Sequence, residues 1–156
     1  MGVAPKKSSA KDSTSSGGLV APPFHDLGLV KFSGGLPPGF KKATLLPSTE
    51  KLLEKDEMWI AGYGCTNLET PTGQGILRTV DLPILEPVTN KIEMSFQQGQ
   101  KGACYGDSGG PAFAKRNNTY FLVGVGSRMY PDKRLIYTRI DLVEGFARWI
   151  QDALRN

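Results

Sequence analysis

Residues 102–111 read Gly-Ala-Cys-Tyr-Gly-Asp-Ser-Gly-Gly-Pro. A serine among glycines is by itself an ordinary turn. The unbroken run Gly106-Asp107-Ser108-Gly109-Gly110-Pro111 is far more specific, and its meaning depends on the elements around it. Upstream, Ile92, Met94 and Phe96 alternate with Lys91, Glu93 and Ser95, the period-two pattern of a half-buried strand over 91–96. Apolar runs at 28–33, 58–63, 77–82, 120–126 and 135–140 are further strand candidates. Gly34-Gly35, Pro37-Pro38, residues 70–75 and residues 116–118 supply turn chemistry between them. The sequon Asn117-Asn118-Thr119 reads as a polar hairpin turn rather than a glycan site. Short strands with no helical pattern between them predict an antiparallel sandwich or barrel. Only the end differs: Val143, Phe146, Ala147, Ile150 and Leu154 recur at helical spacing over 141–156. Asp141 is placed to cap that helix and Glu144 to complete a capping box, so one amphipathic helix should dock on the β body.

The composition narrows the function classes. The 156 residues fit one domain, and 19 Gly with 11 Pro favour turn-rich β structure. Nineteen Lys and Arg against 15 Asp and Glu give a net charge of +4. Without Lys6, Lys7, Lys11 and Asp12 the balance drops to +2, too even for a nucleic-acid footprint. Residues 1–18 are Ser-, Lys- and Gly-rich with almost no large apolar side chain, which predicts a disordered tail before a domain over 19–156. That tail lacks the apolar core of a secretory signal, and no apolar run reaches a membrane span, so no membrane partner is expected. Two cysteines cannot alone supply a structural zinc site, and neither metal nor cofactor is expected. The chain has one histidine, His25.

Several segments in order resemble the chymotrypsin/trypsin family of serine endopeptidases. Trp59-Ile-Ala-Gly-Tyr-Gly64 is similar to the family's strand ending in Gly-Trp-Gly, and Gly106–Pro111 matches its nucleophile loop without a change. Leu122-Val-Gly-Val-Gly-Ser127 resembles the strand lining the substrate cleft. Ile136-Tyr-Thr-Arg-Ile140 and the helix with Phe146, Trp149 and Ile150 resemble the C-terminal strand and helix. His25-Asp-Leu-Gly-Leu-Val-Lys-Phe32 resembles the segment carrying the catalytic aspartate. The likeness runs over about residues 24–154. It implies an all-β fold: one six-stranded antiparallel Greek-key barrel of trypsin-like type, of the family's two, with a C-terminal α-helix.

The resemblance also assigns residues. Ser108 falls on the nucleophile, and the N–H groups of Gly106 and Ser108 on the oxyanion hole. Asp26 falls on the carboxylate that orients the catalytic imidazole. Asp107 falls on the acid that pairs with a new terminal ammonium after activating cleavage. Gly102 stands at the base of the specificity pocket, with Ser127, Met129 and Leu135 along its walls. A neutral base and two bulky apolar walls imply preference for small or medium uncharged side chains of a polypeptide substrate. Cys104 matches a family half-cystine whose usual partner is lacking, and Cys65 lies in the loop after Gly64, which in the family runs near the nucleophile loop. A Cys65–Cys104 bridge and two free thiols both fit.

The likeness breaks at the base. The family carries its histidine upstream of the aspartate, in a Thr-Ala-Ala-His-Cys context within a first barrel, and no such stretch stands between Met1 and Asp26. His25 adjoins Asp26, and neighbours on an extended strand face opposite ways, so it reads as a surface residue. Residues 128–130, Arg-Met-Tyr, depart from the usual pattern after Ser127, and no activation sequence of the Ile-Val-Gly-Gly kind is found. The family is usually secreted or periplasmic; the chain itself shows no leader. Two readings follow: a serine endopeptidase inactive for want of its N-terminal barrel, or a non-catalytic binding module built on the surviving barrel.

Overall fold

The computed structural model describes residues 26–30, 32–47, 49–89, 92–141 and 148–155. The predicted tail, His25, and the helical positions Val143, Glu144, Phe146 and Ala147 lie outside them. Seven strands form among the described residues, in chain order: β1 (Thr44–Leu45), β2 (Glu57–Gly62), β3 (Arg78–Thr89), β4 (Glu93–Gln97), β5 (Pro111–Arg116), β6 (Thr119–Met129) and β7 (Arg134–Arg139). Six of them close a barrel in the order β5-β2-β3-β4-β7-β6, with β6 pairing back onto β5. Every pairing in the ring is antiparallel. β1 is the extra strand, parallel to β6 at Phe121 and Leu122. The chain is therefore all-β, a trypsin-like barrel followed, among the described residues, by one short helix, α1 (Arg148–Arg155). No helix among the described residues is long and apolar enough to cross a membrane.

The barrel interior is filled from alternate positions of its strands. Met58 and Ile60 of β2 face Ala114 and Ala112 of β5 across the ladder, so large side chains meet small ones. Met94 and Phe96 of β4 meet Leu135 and Tyr137 of β7, and the Phe96 and Tyr137 rings pack edge-on at 5.3 Å. Asn117 and Asn118 both take positive φ, 47° and 62°, which gives the β5–β6 hairpin the turn hand that matches strand twist.

Four expectations are corrected. Residues 28–33 form no strand among the described residues, and Val30 and Phe32 stand 77% and 69% exposed. The physical reason is closure: the barrel leaves one open slot beside β6, and Thr44–Leu45 occupies it. β3 runs on past Leu82 through Pro83 and Pro87: Pro83 stands opposite Glu57 at the end of the β2 ladder, and Pro87 falls in a bulge of the pairing with β4, where a residue that cannot donate is tolerated. β5, which the strand pattern missed, hides behind the glycine motif with alanines at its buried positions. β4 is not half-buried: Glu93 and Ser95, on the face away from the core, are as buried as Met94 and Phe96. Their polar groups are engaged there, Ser95 Oγ with Glu86 and Glu93 with Arg128. Asp141 is buried in an ion pair with Arg139, and residues 142–147, which it was expected to cap, lie outside the described residues.

Phe96 is fully buried, so Phe96→Ala should remove about 3–5 kcal/mol of folding stability through lost burial and the cavity left behind. Urea denaturation would check this, and a loss below about 1 kcal/mol would mean that the core does not pack on this ring.

Candidate active site

Between β4 and β5 the chain runs through residues 98–110 without regular structure, so specific contacts must fix its shape. Asp107 N–H donates to Cys104 O at 3.1 Å and Gly110 N–H to Asp107 O at 2.9 Å, closing tight turns on both sides of Ser108. Gly109 N–H donates to Gly126 O, and Gly126 N–H to Gly110 O, each at 2.8 Å, which laces the loop to β6. Ser108 is left exposed at the tip. Neither the Gly106 nor the Ser108 N–H has an acceptor among the described residues.

Asp107 turns its carboxylate away from Ser108's solvent face and into the protein. Oδ1 accepts from Gly64 N–H at 2.7 Å and Oδ2 from Cys104 N–H at 2.8 Å, both charge-assisted contacts. This explains the glycines of Trp59-Ile-Ala-Gly-Tyr-Gly64. A Cβ on Gly64 would lie 2.5 Å from Asp107 Oδ2, and one on Gly62 would collide with Oδ1. Gly106 has φ +97° and would bring a Cβ within 3.3 Å of Gly64 Cα, so this approach too requires glycine. Where the family likeness assigns Asp107 a terminal ammonium, the structure gives it two backbone amides. Cys65 and Cys104 are joined by a disulfide beside this contact, their Cα atoms 5.2 Å apart.

Ser108 borders a pocket of about 220 Å³. Ser127, Met129 and Leu135, the expected wall residues, line it together with Arg128 and Tyr137. Gly102 does not. It faces a larger cavity of about 640 Å³ on the other side of Cys104 and Asp107. Gln98 takes the space that a side chain at Gly102 would need, with Oε1 against the position of a Cβ there. Gln98 is buried, its Nε2 donates to Met129 Sδ at 3.0 Å, and its Oε1 has no partner among the described residues. Gln98 thus backs the pocket wall, a role that no motif in the sequence signals.

Asp26 comes to the same place from the far end of the described chain. Its Oδ2 accepts from Ser127 Oγ at 2.8 Å and its backbone O accepts from Thr138 Oγ1 at 3.3 Å. Because residues 26–30 are not a strand, the alternation that set His25 aside has no strand to act on. Arg128 and Glu93 were also missed. Arg128 Nη1 and Nη2 donate to the two carboxylate oxygens of the fully buried Glu93 at 2.7 and 3.0 Å. That contact holds the guanidinium above its usual range, against the opposing effect of burial. The only sequence signal was the departure of residues 128–130 from the expected string.

Two measurements follow from these contacts. The disulfide spans 39 residues, so a Cys65→Ser/Cys104→Ser chain should lose about 2–4 kcal/mol of stability by denaturant titration; an unchanged midpoint would show that the crosslink does not constrain the unfolded chain. The buried Tyr137 phenol is pushed above its ordinary value of 10 by loss of solvent and further by Asp107. The folded chain then holds this proton more tightly than the unfolded chain does. Its contribution is fully present below pH 10 and is lost as pH rises above it. Tyr137→Phe should therefore flatten the alkaline decline in unfolding free energy, and curves that stay parallel above pH 10 would contradict the assignment.

A family comparison agrees with this geometry. The family model for trypsin matches residues 8–150, a span that takes in Asp26, the barrel and the Ser108 loop. The chain belongs to the trypsin family of serine proteases.

Proposed function

We propose that the chain carries the Ser108 side of a serine endopeptidase site. In this reading Ser108 Oγ attacks the scissile carbonyl while its proton passes to an imidazole, and the Gly106 and Ser108 N–H groups stabilise the developing oxyanion. Collapse of the tetrahedral intermediate breaks the C–N bond as the imidazolium gives its proton to the leaving amine, and the resulting acyl-enzyme is hydrolysed as the same imidazole activates water. Asp26 orients that imidazole. What supports the reading above all is the convergence on one pocket: Ser108 at its edge, two unengaged amides beside it, and Asp26 tied to its wall through Ser127. Met129 and Leu135 favour small or medium uncharged side chains in the substrate.

The imidazole is the missing part. The chain's one histidine adjoins Asp26 in sequence, and the family places its base in a first barrel upstream. The chain alone is accordingly inactive in this reading, and an N-terminal barrel supplies the base. A second reading, a non-catalytic binding module, draws on the exposed Val30, Phe32, Leu36 and Phe40, an apolar stretch suited to a protein partner.

A fluorophosphonate probe separates these. The expected result is negligible labelling in plain buffer and labelling of Ser108 when free imidazole is added, abolished by Ser108→Ala. Rapid labelling without imidazole would overturn the inactivity of the chain alone. No labelling of a folded sample under either condition would favour the binding module.

A further inference from the structure

Asp26 reaches the barrel through side chains rather than a sheet. Residues 26–30 pair with no strand among the described residues, and the contacts fixing Asp26 are those from Ser127 Oγ and Thr138 Oγ1. The first of these depends on which way a hydroxyl points. Ser127 Oγ also lies 3.3 Å from Arg128 Nη1. A guanidinium can only donate, so Ser127 Oγ must accept from Arg128 through a lone pair. Its one proton is then left to face the Asp26 carboxylate, which can only accept. Arg128 cannot swing away, because Glu93 grips it with both carboxylate oxygens and Tyr130 Oη accepts from Nε and Nη2 at 3.3 Å. Glu93 in turn is fully buried within β4, Ser127 and Arg128 sit near the end of β6, and the row crosses β7 between them.

We propose that Arg128, anchored by Glu93, is a positioning residue for Asp26: it sets the rotor of the Ser127 hydroxyl and so holds the carboxylate at the pocket. This rests on the protease reading for its purpose but not for its geometry. It also accounts for a charged residue beside Ser127, where a pocket wall alone would need none. The resulting order, Glu93 to Arg128 to Ser127 to Asp26, runs from a fully buried strand position to a solvent-exposed loop.

Arg128→Met alone would strand a buried carboxylate and could unfold the chain, so the test uses Ser127→Ala, which leaves the ion pair intact, and the double variant Glu93→Met/Arg128→Met, which removes both charges. Backbone 15N relaxation on the full chain is the first readout. Order parameters of residues 26–30 should fall from the rigid range of about 0.85 to below about 0.6 in both variants, while those of β2 and β5 stay in the rigid range. Arg128→Lys, which keeps a donor near Ser127 without the two-pronged grip on Glu93, should fall between wild type and the double variant. The second readout is imidazole-assisted labelling of Ser108. Its maximal rate should drop in the variants while the probe concentration giving half that rate stays constant, a split that general loosening of the fold would not give. Order parameters at 26–30 unchanged in the double variant would overturn the proposal, whatever Ser127→Ala gives. Lowered order parameters in both variants with no Ser108 labelling even in wild type would uphold the positioning of Asp26 and reject the protease reading.

Discussion

The carboxylate of Asp107 is the contact on which the arrangement of the site depends. It accepts from Gly64 at the exit of β2 and from Cys104 in the loop before β5, so one charged group joins segments that are 43 and 3 residues away from it. With the carboxylate pulled inward, the backbone on either side must turn, and Ser108 is pushed outward at the tip. The neighbouring crosslink between Cys65 and Cys104 ties the same two segments covalently. Backbone amides have no rotamer freedom, so a carboxylate held by two of them loses little further entropy in keeping its place.

The second feature of the molecule is buried charge, with Glu93 on the outer face of β4 and Arg139 at the end of β7. Glu93 with Arg128, and Arg139 with Asp141, put ionised groups where a simpler barrel would have apolar side chains. Such pairs add little net stability, since desolvation offsets most of their attraction, but they are intolerant of misalignment. Arg139 also donates to Pro87 O at 2.8 Å, pinning the bulged part of β3 to the end of β7. The pairs therefore specify how strands and flanking segments meet rather than how strongly.

Much of this was legible beforehand, and for identifiable reasons. The glycine-rich string around Ser108 is local chemistry, and residues 117–118 form the turn that two adjacent asparagines favour. Met94 and Phe96 lie inward as their alternation requires. Other elements were hidden because their cause is not local. Residues 28–33 have the composition of a strand but no edge to join. Pro111–Arg116 lacks the bulky alternation of a strand because its inward alanines face Met58 and Ile60.

The sequence by itself determined the glycine-rich loop around Ser108, the all-β class and the family, because these rest on residue types at fixed short spacing and on turn chemistry. Only the tertiary structure decided that Asp107 binds two amides, that Gln98 rather than Gly102 backs the pocket, and that Glu93, Arg128, Ser127 and Asp26 form one line. Those relations join positions up to 101 residues apart, and a hydrogen bond depends on ångström-scale placement that periodicity does not encode.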